Sequence, residues 1–235
     1  MTIKPIFPPL FSGLSTEGDP FPFAQSRAAK GCDAGLVTYN LNPHTLMAAI
    51  VFAPDVALED AAMMLPISGI GFQNALGALA PPEVAVHLDW KGGIWLNGGR
   101  CGALQIACDT NNPDVVPDWL VVGLNIAIWP PSDTPGDTPD ETALYSEGCA
   151  DVDAVALLEA WIRHTLVWIN RWTEEGAKPI HSEWVGLAHG LDTDVQVGQH
   201  TGTFIGVDET MGMLLKADDT THLIPLTKLL VESNT

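Results

Sequence analysis

Positive charge is scarce in this 235-residue chain. Ten Lys and Arg stand against twenty-nine Asp and Glu, a formal net charge of −19 with a pI near 4.4. Nucleic acids and anionic membranes need a basic surface to displace their counterions, so neither is expected as a partner. Cysteine is scarce as well. The four thiols, at positions 32, 101, 108 and 149, form no CxxC pair and read as reduced cysteines of a cytoplasmic protein. No apolar run reaches the roughly 18–20 residues that cross a bilayer. The N-terminal MTIKPIFPPLFSG has no long apolar segment and does not read as a secretory signal. There is no GxxxxGK[ST] phosphate loop and no GxSxG nucleophile elbow. The seven His are scattered, with no HxH, HExxH or Cys/His cluster, so no metal site is expected.

What is present is an ordinary apolar content of 46%, enough for one large domain or a medium one with a small companion. Residues 1–23 are proline-rich and read as an extended surface arm. AQSRAAKG at 24–31 suits a short helix. Two β-like runs follow, AGLVTY (34–39) and LMAAIVFA (46–53), joined by the turn-forming NLNPHT. A helical stretch over about 57–79 must break or kink at Pro66. EVAVHLDW, GGIWLNGG and RCGALQIAC read as short strands around an Asn97-Gly98 turn. DWLVVGLNIAI (118–128) has the continuous apolar character of a buried central strand. Residues 130–148, rich in Pro, Asp and Thr, read as an exposed loop whose acids Asp133, Asp137, Asp140 and Glu141 are solvated. The clearest helix spans 153–172, with Val155, Leu158, Ile162, Leu166, Ile169 and Trp172 on one stripe. A short helix carrying Trp184 follows. After about 192 the pattern is entirely β. The reading is an α+β main domain over 1–190 and a small β module over 191–235.

Any anion site must draw on ten cations. Two of them, Lys91 and Arg100, bracket the Gly92-Gly93-Ile94-Trp95-Leu96-Asn97-Gly98-Gly99 hairpin. A Lys or Arg beside backbone that a ligand can approach closely suits a carboxylate or phosphate. The hairpin equally suits two tight turns around a short strand.

The order of these parts resembles the catalytic and C-terminal domains of the biotin protein ligases, in the biotin/lipoate ligase superfamily. GCDAGLVTYN resembles the strand entering that family's ligand site, and so implicates Tyr39 and Asn40. EVAVHLDWKGGIWLNGGRCGAL resembles the family's VxxKWPND…KLAGIL segment. On that register Trp90 matches the family's Trp, Arg100 its essential Lys, and Cys101, Gly102 and Ala103 the small residues after it. In DWLVVGLNIAI, Gly123, Leu124 and Asn125 match a Gly-[Ile/Leu]-Asn strand end. The tail resembles the family's small barrel. The resemblance implies a mixed sheet packed on helices, of the class II synthetase/biotin protein ligase-like kind, with a C-terminal SH3-like β-barrel. It implicates Trp90, Lys91, Gly92, Gly93, Asn97, Arg100, Cys101, Gly102, Ala103, Gly123, Asn125, Tyr39 and Asn40 in ligand binding, with Arg100 as the catalytic candidate. Trp90 and Trp95 are candidates for an apolar wall, although strand alternation separates odd from even positions.

Family ligases make an acyl-adenylate from biotin and MgATP and pass the acyl group to a carrier-domain Lys. Here the chain departs. The GRGRxGRxW loop is missing, and only NLNPHT stands between Tyr39 and Leu46. The Pro-Asn-Asp after the family's Trp is Lys91-Gly92-Gly93, and its Lys is Arg100. Two readings follow. One is a ligase using ATP and Mg²⁺ with an acyl-carrier partner. The other is a protein that binds biotin, lipoate or a similar small carboxylate without catalysis. A homodimer is left open, as is an interaction module with no ligand at all.

Overall fold

The computed structural model describes residues 4–130 and 138–231. A seven-stranded mixed sheet organises the larger part, in the order β1-β2-β3-β7-β6-β5-β4. Its strands are β1 (Ser12–Ser15), β2 (Leu36–Leu41), β3 (Thr45–Phe52), β4 (Val86–Leu88), β5 (Gly93–Leu96), β6 (Gly99–Cys108) and β7 (Leu120–Ala127). Only the β1–β2 pair is parallel. The proline-rich arm, expected to be extended, contributes an edge strand at Ser12–Ser15. Helix α1 (Pro20–Ala28) also begins earlier than the sequence suggests. Asp19 caps it by accepting from the Phe21 N–H. Pro20 and Pro22 fall in the first turn, where backbone N–H groups have no helical partner and proline costs nothing.

The sheet is covered on both faces, but unequally. One face packs on α2 (Leu58–Ala61), α3 (Met64–Gly77), α4 (Ala154–Glu175) and α5 (Ala177–Leu187) through the main core. Pro66 sits in the first turn of α3, and the chain breaks between α2 and α3 at Ala62–Met63, as its chemistry demands. Helices α3 and α4 approach closely at Gly71, where a Cβ would lie 2.5 Å from Thr165 Oγ1. Asp153 caps α4 through the Ala156 N–H, and Gly176, at φ +76°, ends it. The buried stripe of α4 is centred on Leu157, Leu158, Trp161, Thr165 and Trp168, with Leu166, Ile169 and Trp172 at its margin. Both buried indoles are satisfied: Trp161 donates to Ser68 O and Trp168 to Asn74 Oδ1.

On the other face α1 packs over a small cluster of Leu36, Ala49, Val51, Ala107 and Val121. Residues 194–224 form a four-stranded antiparallel sheet, β8 (Asp194–Val197), β9 (His200–Val207), β10 (Met213–Ala217) and β11 (Thr220–Ile224), followed by a 3-10 turn at Leu226–Leu229. The expectation of an exposed loop over 130–148 needs correction where it can be seen. Asp133 and Asp137 lie outside the described residues. From 138 the chain packs back on the sheet, burying Ala143 and Leu144, because Leu144 N donates to Ala127 O and Thr142 N to Arg100 O. No helix among the described residues is long and apolar enough to cross a membrane.

Candidate functional site

Strand β7 runs through the middle of the sheet, and its alternation decides what each face presents. Val121, Gly123, Asn125 and Ala127 share one face. Opposite them in register stand Val51, Ala49, Met47 and Thr45 of β3. On the other side stand Ala107, Gln105 and Ala103 of β6. Helix α1 covers the Val121–Gly123 half of this face. Phe21 presses onto Gly123 so closely that a Cβ there would meet its ring at 2.6 Å. Beyond Gly123 the helix no longer reaches, and Asn125 is exposed between buried neighbours.

A bulge puts Arg100 beside it. On β6 the register against β5 shifts between Ile94 and Trp95, so that Ile94 faces Gly102 while Trp95 faces Arg100. Cys101 is the extra residue. It turns into the core, where its thiol lies 3.5 Å from Ala127 O. Gly102 also faces inward, since a Cβ there would meet Asn125 O at 2.1 Å and Ile126 at 2.8 Å. With both turned in, Arg100 and Ala103 are left on the open face with Asn125. The returning segment completes the wall. Arg100 and Glu141 are bridge partners, held by Arg100 N to Asp140 O at 2.8 Å and Thr142 N to Arg100 O at 2.9 Å. Thr45, Arg100, Ala103, Asn125, Glu141 and Thr142 surround an open cavity of about 330 Å³. Among the described residues the ion pairs are Glu159–Arg163 and Arg171–Glu175, both on α4. The guanidinium of Arg100 makes none with the described residues.

The remaining candidates are placed elsewhere. Trp90 is 3% exposed, and its indole donates at 2.8 Å to Met211 O in the turn between β9 and β10. Lys91 donates to Gln196 O of the C-terminal sheet at 2.7 Å. Gly92, at φ +91°, lies against Leu104 O, which a Cβ would approach to 2.6 Å. Gly93 makes room for Asp89, whose carboxylate accepts from Gly93 N and from Trp95 Nε1. Trp95 stacks on His189 with ring centroids 4.0 Å apart. This turn is thus bound to the C-terminal part and presents no free cation. Asn97 (φ +48°) and Gly98 (φ +93°) form the tight turn, and the Asn97 amide is engaged with Ala85 N and Glu147. Tyr39 is buried on the core side against Phe7. Asn40 shares the open face but donates to Glu17 O and Gly18 O, fastening the approach to α1.

Four cavity residues are not among the sequence candidates: Thr45, Ala127, Glu141 and Thr142. Glu141 is exposed, as expected of a loop acid, and it also lines the cavity. The apolar pair Ala143-Leu144 beside it was the available sign that this stretch packs. Beneath the cavity floor, burial pushes the Cys101 thiol up to about 12, with nearby Cys149 adding to the effect. No group of three or more His, Cys, Asp or Glu able to hold a metal occurs among the described residues.

The sequence model of the Biotin/lipoate A/B protein ligase family matches residues 7–186. A domain of unknown function, DUF4444, matches residues 193–232. A biotin–[acetyl-CoA-carboxylase] ligase of Paracoccus denitrificans is 24% identical over 182 residues, 75% of each chain. A solved biotin protein ligase-like protein of unknown function, from Silicibacter sp. tm1040, is 57% identical with a TM-score of 0.92, covering 97% of this chain and 100% of its own. Biotin protein ligase from Aquifex aeolicus, solved with biotin and ATP, is 15% identical with a TM-score of 0.70, over 91% of this chain and 95% of its own. The last likeness shows the fold alone: a mixed sheet packed on helices with a small C-terminal antiparallel domain. The family match spans well over half the sequence, and the chain belongs to the biotin/lipoate A/B protein ligase family.

Proposed function

We propose that this protein binds a small carboxylate or acyl ligand, of the biotin or lipoate kind, in the open cavity, and that it does so without forming an acyl-adenylate. The observation that carries this reading is Arg100, a guanidinium on the cavity wall with no ion pair among the described residues. It can fork onto a carboxylate. Asn125, Thr45 and Thr142 supply further hydrogen-bonding groups, and Ala103 and Ala127 supply a short apolar floor.

The residues present do not fit MgATP. A triphosphate needs several cations or backbone donors around it. The cavity offers one Arg and sets Glu141 next to it. The β2–β3 turn, where a phosphate-wrapping loop would be wanted, is short and self-satisfied. Asn42 Oδ1 accepts from His44 N and Thr45 N, and its amide donates to Thr45 Oγ1. The acids at hand also form no cluster of metal-binding type among the described residues. The protein therefore acts as a sensor or holder of its ligand.

The competing reading, a working ligase with ATP, Mg²⁺ and an acyl-carrier partner, has one feature in its favour: Arg100 keeps a positive charge at the position matching the family's Lys. Isothermal titration calorimetry with biotin, lipoate and octanoate, each with and without MgATP, separates the two. The proposal expects heat from at least one acid, unchanged by MgATP. A sharp tightening with MgATP would instead support the ligase.

A further inference from the structure

Arg100 and Glu141 are bridge partners, so their side chains project to the same side of the pairing, neighbours across about 5 Å of backbone. Both are exposed, both line the cavity, and no ion pair joins them. The surroundings of this couple are acidic. Asp140 precedes Glu141, and Glu147 lies behind, accepting from Thr142 Oγ1. A ligand bearing only a carboxylate would gain from Arg100 and lose part of that gain to Glu141. A ligand with an ammonium beside its carboxylate gains from both. From this juxtaposition we infer that Glu141 is a specificity determinant, and that the preferred ligand class is a zwitterionic amino-acid head with an apolar or amide-bearing tail.

The inference rests on the cavity being the ligand site. Given that, the parts have distinct tasks. Arg100 takes the carboxylate, while Glu141 takes the ammonium together with the Thr142 or Thr45 hydroxyl. The tail runs over Ala103 and Ala127 toward Asn125, whose amide is exposed. The same carboxylate discriminates against ligands with more than one negative charge, such as phosphate esters. Glu141 is thus placed to select by charge, with no catalytic step assigned to it.

The test uses a matched pair of probes, octanoate and L-2-aminooctanoate, which differ only in the α-ammonium group. Both are titrated into wild-type protein and into Glu141→Gln, at one pH and salt concentration, with thermal unfolding as a check that the variant is folded. Position 141 is exposed, so its stability should be unchanged. The expected result is that wild type binds the amino acid roughly fivefold tighter than octanoate, the scale of a partly exposed ion pair. Glu141→Gln should erase that difference and bind octanoate at least as well as wild type does. Equal binding of the two acids by wild type, with no change in Glu141→Gln, would overturn the inference while leaving the cavity as a carboxylate site. Binding of neither acid would overturn both.

Discussion

Two stretches of one hairpin invite comparison: the Trp90–Gly93 turn at one end of β5, and the Arg100 bulge near the other. Both carry a cation and glycines, and both lie in the segment that resembles the ligases. Their partners differ. The first is consumed by the fold, since its indole, its Lys and its glycines serve the contact with the C-terminal sheet and the Asp89 carboxylate. The second leaves a guanidinium over an open cavity beside Asn125 and Glu141. Similar residue types thus do opposite jobs, and the deciding factor is what the chain brings next to them from far away in sequence: Met211 and Gln196 in one case, Glu141 and Asn125 in the other.

Substitutions sharpen the contrast. Trp90→Ala should have the largest effect on stability, about 3–5 kcal/mol for an excavated buried aromatic. It also strands the Met211 carbonyl, and equilibrium urea unfolding would read the loss. Gly93→Ala comes next. Its Cβ would sit 2.0 Å from Asp89 Oδ2, so the turn must open and the Trp95 bond break, at about 1–3 kcal/mol. A loss below about 0.5 kcal/mol for either would mean that this turn is not structural.

The Cys101 thiol gives a pH test of the bulge. Its folded-state pKa is raised to about 12 from 9.0 by burial. A raised pKa means the folded protein holds the proton more tightly than the unfolded chain. The corresponding stability is complete below pH 9 and is lost as pH climbs toward 12. Unfolding midpoints measured from pH 8 to 11 should fall, and Cys101→Ser should flatten that fall. Arg100→Met sits at the small end for stability, within about 0.5 kcal/mol, because the side chain is exposed and makes no ion pair among the described residues. Under the proposed function its effect belongs to binding.

Much of the fold was legible because its signals are local. Asp153 and Gly176 bound α4, Pro66 marks the α2–α3 break, and the apolar run of β7 marks the sheet centre. The edge strand Ser12–Ser15 was not legible, because four residues with no alternation take their strand identity from pairing with β2. The site was legible in part. Arg100, Ala103 and Asn125 could be placed by resemblance, and they do come together. Glu141 could not, since nothing in a Pro/Asp/Thr-rich stretch shows that its backbone pairs with Arg100. Nor could sequence tell that Trp90 and Lys91 are engaged, because their acceptors are carbonyls 121 and 105 residues away.

On the proposed function, the cation serving the ligand is Arg100 and not Lys91. The most direct test is the thermal stabilisation given by lipoate to wild type, Lys91→Met and Arg100→Met, under one set of conditions. Lys91→Met should keep the wild-type shift and Arg100→Met should lose it. A shift retained by Arg100→Met and lost by Lys91→Met would place the ligand at the other end of the hairpin and contradict the account.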